Sequence, residues 1–326
     1  MRIGAIGIDS SHTPVFTNRI NTLFKEGKTK CQVTHFWDPG THQWQHPDGP
    51  AQSAKDVAKW REDAIKEGAK QVDTIDDLLK NVDGVMVLNI GGARHLELAV
   101  PSLAKGMPTY VDKPLTCSTD QAKALLAMSR LYKARCYSAS SLRFITEIPK
   151  LDKEKLGDIV AIDAFGNGEV MDLMPDLWHY GCHSIEMVDA IFRWAGQGGG
   201  GVKRVSAVKS ATPFVKGGKA QPGVEAKSGY HLLDMEYHDG RIARIRCDRN
   251  GSWAFGATVH GTKGVQQFVV DFAPVYTRLV EGMVKFFEGG PAPVDLRDIV
   301  ENVAVMEAGN RSIAMGGEWV EIPTIE

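Results

Sequence analysis

Short apolar runs alternate with helix-patterned stretches over the first 140 residues, and no other feature limits the fold of this chain so strongly. The runs are Arg2 to Ile8, Gln32 to Trp37, Gly84 to Leu88, Thr109 to Val111 and Cys136 to Ala139. Gly84 to Leu88 (GVMVL) is continuously apolar, as a strand buried on both faces must be. Helix signals fill the gaps. Thr13-Pro14 opens one helix, since Thr is a good cap and Pro suits the first turn. Further signals resume at Ser53, and Thr74-Ile75-Asp76-Asp77 resembles a capping box ahead of Leu78 and Leu79. Arg94 to Lys105 closes at Gly106, and a helix capped near Ser118-Thr119 carries Ala122, Leu125, Leu126 and Met128 on one side. Strands and helices in this succession imply right-handed βαβ units and a doubly wound parallel sheet. Between the Asp38-Pro39-Gly40 turn and Pro50 the chain is polar, with His42, Trp44 and His46, and reads as an exposed loop.

The second half has a different texture. Ile159 to Phe165 reads as a strand and Trp178 to Trp194 as an amphipathic helix, with Met187, Val188, Ile191 and Phe192 toward the core. After the Gly198 to Gly201 run come segments of period two: Val202 to Val208, Tyr230 to Tyr237, Arg241 to Cys247, Trp253 to Val259 and Val265 to Val270. His238-Asp239-Gly240 is a hairpin turn between two of them. Successive strands joined by turns predict an open, largely antiparallel sheet in an α+β domain. Two terminal helices, about Pro274 to Glu288 and Asp295 to Met315, are expected to pack back on the first domain. The expected division is residues 1–118 for the nucleotide half and 119–326 for the substrate half, which suits a chain of 326 residues.

Composition excludes several functions. There are 38 Lys plus Arg against 40 Asp plus Glu, a formal net charge of -2, so no basic field exists to hold a phosphate backbone and nucleic acid is not an expected partner. No window approaches the roughly 18 apolar residues of a membrane span. The N-terminus starts a strand rather than a signal peptide, and five scattered cysteines without CxxC spacing suit a reducing compartment, so the chain reads as cytoplasmic.

A dinucleotide fold needs a tight strand-to-helix turn whose backbone N–H groups face a pyrophosphate, which is why Gly-x-Gly-x-x-Gly recurs there. Here the turn is Gly7-Ile8-Asp9-Ser10-Ser11-His12, and only the first glycine is present. Asp9 stands where the second glycine would let the pyrophosphate approach, and His12 where the third would let helix meet strand. A carboxylate beside a diphosphate costs roughly 4 kcal/mol per charge pair at about 4 Å and an effective dielectric of 20. Asp9 must therefore point away, cap the helix, or face a displaced or absent cofactor. Asp38, ending the second strand, stands where an acidic residue would bind a ribose diol and repel a 2'-phosphate, or it simply begins the Asp-Pro-Gly turn.

Asp83 to Leu88, Asn89, His95, the Gly106 turn and Val111-Asp112-Lys113-Pro114-Leu115 together resemble the glucose-fructose oxidoreductase, inositol dehydrogenase and rhizopine-catabolism (Gfo/Idh/MocA) family. Its Glu-Lys-Pro element is here Asp112-Lys113-Pro114. Gly261-Thr262-Lys263-Gly264 and Ile313-Ala314-Met315-Gly316-Gly317 also look like its pattern. The resemblance implies a Rossmann domain followed by an α/β domain with an open sheet, acting with NAD or NADP on sugars, cyclitols or their derivatives, and Asp38 makes NAD the expected cofactor. It implies cofactor contacts at Gly7, Asp9, Ser10, Ser11, His12, Asp38, Asn89, His95, Asp112 and Lys113. Lys113 would also be catalytic, reaching between nicotinamide and substrate hydroxyl to stabilise a developing alkoxide. A homo-oligomer formed through the open sheet is expected as well.

On the helix containing Trp178 to Glu186, residues 179, 183 and 186 are spaced i, i+4, i+7 and would share one face. The family carries Asp-x-Gly-x-His here; this chain keeps Gly181 and His183 and has His179 for the Asp. Three readings stand. His179 and His183 are core histidines satisfied by neighbours; or His183 is the general acid or base with His179 orienting it; or His179, His183 and Glu186 ligate a metal. Without a permanent metal, Glu186 lines the substrate cleft, and Arg143, following the strand at Cys136 to Ala139, binds a substrate oxygen or sits on the surface. The leading function is hydride transfer between NAD and a hydroxyl carbon of a sugar or polyol. The alternatives are a lyase or hydrolase using transient oxidation or a bound metal, and a non-catalytic sugar- or nucleotide-binding protein on this scaffold.

Overall fold

The computed structural model describes residues 1–40, 45–46, 49–50, 54–171, 174–198, 201–210, 229–249 and 252–325. They form two compact units, Met1–Ala139 with Tyr276–Val300, and Ser140–Val275 with Glu301–Glu326. The boundary expected after residue 118 thus falls after Ala139.

In the first unit the chain runs β1 (Arg2–Ile6), α1 (His12–Lys25), β2 (Gln32–Trp37), β3 (Gln45–His46), β4 (Gly49–Pro50), α2 (Ala54–Lys66), β5 (Lys70–Val72), α3 (Ile75–Asn81), β6 (Gly84–Val87), α4 (His95–Ala104), β7 (Thr109–Val111), α5 (Thr119–Leu131) and β8 (Cys136–Ser138). Six strands make one parallel sheet in the order β5-β2-β1-β6-β7-β8. The later boundary has a simple cause, because α5 and β8 add one more βα step and β8 hydrogen-bonds to β7. All four residues of β6 are buried, as its unbroken apolar run requires. The capping signals hold: Thr74 accepts from Asp77 N at 3.1 Å, and Ser118 caps α5. The polar stretch before Pro50 departs from a plain loop, since β3 and β4 pair within it; its residues 41–44 and 47–48, with His42 and Trp44, lie outside the described residues.

The second unit contains α6 (Lys153–Leu156), β9 (Ile159–Asn167), α7 (Gly181–Trp194), β10 (Val202–Ser210), β11 (Tyr230–Tyr237), β12 (Ile242–Asp248), β13 (Gly256–Gly261) and β14 (Val265–Val269). Then come α8 (Val275–Phe287), nearly all of it in the first unit, α9 (Leu296–Ala314) and β15 (Val320–Glu321). Seven strands lie in the order β14-β13-β9-β12-β11-β10-β15, antiparallel except for the β9–β12 pair. The alternation of buried and part-exposed residues along β11 and β12 is that of a sheet with one covered face. α7 packs on β9 and β12 with Ile185, Val188, Ile191 and Phe192 buried.

Two expectations change here. The strand expected to start at Trp253 starts at Gly256, leaving Trp253 outside it. The helix expected from Trp178 starts at Gly181. Pro175 and Asp176, the latter at φ +53°, open a turn in which Trp178 N donates to Pro175 O, so His179 precedes the helix rather than joining its face.

Candidate active site

The strand order places a topological switch point between β1 and β6, where doubly wound sheets bind ligands beyond their carboxyl ends. Gly7 ends β1 at φ +99°, and a Cβ there would lie 2.4 Å from Asn89 N, so only glycine lets these two strand ends meet. Asn89 is buried beside it, and its side-chain amide donates to the carbonyls of Ile90 and Gly91.

Asp9 decides whether this loop suits a dinucleotide. Its side chain is fully buried and Oδ1 accepts from Ile90 N at 3.1 Å, which turns the carboxylate into the protein toward the β6 end. Of the three possibilities open to Asp9, pointing away is therefore the one realised. The loop Gly7–Ser11 and the head of α1, a helix of 14 residues, thus fit a pyrophosphate despite the missing glycines. Ser10 Oγ accepts from His12 N at 3.1 Å, and Ser11 is exposed.

His12 has a different place from the one expected. Its Nδ1 lies 2.5 Å from Asp112 Oδ2 and its Nε2 lies 3.2 Å from the Tyr276 hydroxyl on α8, while the ring stacks on Phe16. The imidazole is thereby committed to the end of β7 and to α8. Asp112 is buried and also accepts from Lys113 N at 2.9 Å and from the Tyr110 hydroxyl. Burial alone would push its carboxyl up; His12 and then Lys113 outweigh burial and hold it below the usual carboxylate range. Lys113 follows directly, half-buried, before a cis bond to Pro114.

His95 is fully buried, with Nδ1 against the carbonyls of Pro114 and Leu115 and Nε2 against that of Asn89. It ties the loop after β6 to the loop after β7, so its contribution to a cofactor site is to position both. Asp38 Oδ2 receives Arg61 of α2 at 2.7 Å, and Oδ1 receives Gly40 N at 2.9 Å. Both readings of Asp38 hold part of the answer: it does build the Asp-Pro-Gly turn, and it places a carboxylate beside a guanidinium at the end of β2.

In the second unit the ionisable residues form a chain. Ser140, fully buried, lies 2.7 Å by its hydroxyl from His183 Nδ1 and accepts from Leu142 N at 3.1 Å. Its backbone N–H donates to Glu186 Oε2 at 2.8 Å, which also receives Arg143 Nε at 2.6 Å. Arg143 Nη2 reaches Asp189 at 2.6 Å, and Asp189 pairs with Arg193. Arg143 and Glu186 side chains are each 3% exposed, so the substrate contacts expected of both are replaced by mutual pairing. Their burial is the physical reason, because neither charge tolerates a low dielectric alone. Among the described residues no three His, Cys, Asp or Glu side chains are grouped to hold a metal ion. His183 stands in the first turn of α7 with Tyr180 and Phe255 edge-on at 5.2 and 6.0 Å.

With Leu142 N on one lone pair, Ser140 Oγ either donates to His183 Nδ1 or accepts from it on the other, according to the ring's tautomer. Sequence reasoning missed Ser140, although its place just beyond β8 is a strand-end signal. It also missed Tyr276, which no local pattern could have linked to His12, 264 residues away.

Comparison with known proteins agrees with this architecture. Residues 1–140 match the GFO_IDH_MocA model, an oxidoreductase family with an NAD-binding Rossmann fold. No curated protein matches the sequence. Among solved structures, GenD2 from gentamicin A biosynthesis, in complex with NAD, is 16% identical over 99% of this chain and 97% of its own, with a TM-score of 0.74. Scyllo-inositol dehydrogenase from Lactobacillus casei, with NAD(H) and scyllo-inositol bound, is 14% identical over 99% of both chains, with a TM-score of 0.72. An oxidoreductase from Agrobacterium radiobacter, in complex with NAD+, L-tartaric acid and magnesium, is 12% identical over 99% of this chain and 98% of its own, also at 0.72. At such identities the likeness is one of fold.

Proposed function

We propose, from the premise that residues 1–140 belong to the Gfo/Idh/MocA oxidoreductase family with its NAD-binding Rossmann fold, that the chain transfers hydride between NAD and a hydroxyl carbon of a sugar, cyclitol or related polyol. The observation that carries this reading is the position of Asp112-Lys113-Pro114 at the carboxyl end of β7, two strands from β1 on the side of the switch point. A half-buried lysine there has a chemical use that a surface lysine lacks.

When bound, the nicotinamide supplies a two-electron acceptor or donor. The chain's own residues do the rest. Gly7, Ser10, Ser11 and the head of α1 hold the pyrophosphate, Asn89 and His95 fix the neighbouring loop, and Asp38 bonds the adenosine ribose while opposing a 2'-phosphate. Lys113 brings positive charge to the substrate oxygen and favours its alkoxide form. His183, held at Nδ1 by Ser140, hydrogen-bonds and orients a substrate oxygen. His179 lies in the turn before it, its ring edge-on to Tyr180 at 4.7 Å. The polyol reading draws support from the scyllo-inositol bound to the Lactobacillus casei enzyme.

Calorimetric titration tests the cofactor. NAD(H) is expected to bind more tightly than NADP(H). Failure of both to bind would end the oxidoreductase reading and leave the fold alone.

A further inference from the structure

The Asp112–His12–Tyr276 arrangement uses the residue that replaces the third fingerprint glycine, and it needs an explanation beyond packing. Asp112 is an acceptor, so a neutral His12 directs its Nδ1 hydrogen there at 2.5 Å. Nε2 is left with a lone pair, and at 3.2 Å it meets the one group on α8 able to fill it, the Tyr276 hydroxyl. An anion that fixes an imidazole tautomer, with the far nitrogen accepting from a hydroxyl, is the arrangement by which a weak acid is made a proton-transfer group. The hydroxyl here is a phenol that burial pushes up, the Lys113 charge offsetting part of that rise. The other charged groups facing this cluster are Asp112 and, on α1, Arg19.

We propose that Tyr276 is a catalytic residue of the oxidation, the group that takes the proton from the substrate hydroxyl, and that His12 and Asp112 are the positioning residues that let it do so. This rests on the oxidoreductase reading above. As the substrate C–H bond breaks and its electron pair leaves as hydride to the oxidised nicotinamide, the O–H bond of the same carbon gives its proton to Tyr276 Oη. Tyr276 gives its own proton to His12 Nε2. The imidazolium formed stays on the Asp112 carboxylate, and with its side chain 15% exposed it can release the proton to water. The substrate becomes a carbonyl compound and all charges balance. Reduction runs the same steps backward.

The test combines nitrogen-15 NMR of histidine-labelled protein with kinetics of three variants, Tyr276→Phe, His12→Gly and His12→Asn. The spectrum should show His12 protonated on Nδ1, with its Nε2 signal moving when Tyr276 becomes Phe; a ring protonated on Nε2, or one indifferent to that substitution, overturns the relay whatever the activity. Tyr276→Phe should lower kcat at least about a hundredfold with NAD affinity nearly unchanged, the scale of a positioned acid-base group. His12→Gly restores the fingerprint glycine and should keep NAD binding while losing activity in the same direction, and His12→Asn should behave like it. Full activity in Tyr276→Phe overturns the proposal. A wild type that binds no NAD overturns the function first, whereas NAD binding with turnover that is insensitive to all three variants sinks only the relay.

Discussion

At Gly7 a single hydrogen in place of a side chain joins two strand ends. An added methyl would sit 2.4 Å from Asn89 N on a backbone at φ +99°, two penalties that no side-chain rotation relieves. Gly7→Ala should therefore destabilise the protein by about 3 kcal/mol or more, read as a fall in thermal midpoint. Asp38 tests a different property. Its carboxylate opposes a 2'-phosphate and occupies Arg61, so Asp38→Ser removes a like charge and frees a guanidinium that suits phosphate. The ratio of NADP to NAD affinity should rise about tenfold, equivalent to about 1.4 kcal/mol, in paired calorimetric titrations. An unchanged ratio would remove Asp38 from cofactor choice.

At the scale of elements, buried charge sets how α7 is held to the chain beyond β8. Arg143 lies between Glu186 and Asp189, and removing it strands the buried Glu186 carboxylate while Asp189 keeps Arg193. Arg143→Met should cost about 3–5 kcal/mol in denaturant unfolding, the range for breaking a buried pair from one side. The turn before α7 is anchored by another pair. Burial would raise the Asp176 carboxyl, but His231 at 3.0 Å and Lys209 at 2.9 Å bring it down to about 2. A carboxyl depressed on folding adds stability above its unfolded value near pH 4, and that stability is lost as pH falls toward 2. Asp176→Asn should lower stability near neutrality, where the depressed carboxyl contributes fully, and flatten the acid limb of the stability curve in that window, the two proteins converging toward pH 2. These elements were unequally legible in the sequence. Most strands of both sheets showed themselves through burial, which periodicity reports directly, whereas the edge strands β5 and β15 did not, being only three and two residues long. The start of α7 was misplaced because Asp176 takes a left-handed backbone angle that its residue type does not announce. Arg143 and Glu186 stood out as charged residues near strand and helix ends, but whether such charges face a ligand or each other depends on pairing across 43 residues.

On the scale of the whole molecule, one face of the seven-strand sheet carries exposed side chains and no helix among the described residues packs on it. Phe165, Ile242, Val265 and Val269 are exposed there, among cross-strand pairs such as Arg244 with Asp234 and His260 with Asp163. That mixture of apolar and paired charged residues suits self-association, and we propose that the face forms a homo-oligomer. Sedimentation of wild type and Val269→Asp should show an assembly weakened by the substitution; a monomeric wild type would dismiss the idea. Among the described residues no helix is long and apolar enough to cross a membrane. The matched family, the switch point with Gly7 and an inward-turned Asp9, and Lys113 at a strand end are the grounds for the hydride transfer we propose. Stopped-flow absorbance of reduced nicotinamide, following wild type and Lys113→Ala mixed with NAD+ and a panel of sugars and cyclitols, tests that claim most directly. The account predicts a single-turnover hydride step with at least one polyol that slows about a hundredfold or more in Lys113→Ala while NAD+ binding persists. Equal rates in the two proteins, or no reduction of bound NAD+ by any polyol, would contradict it.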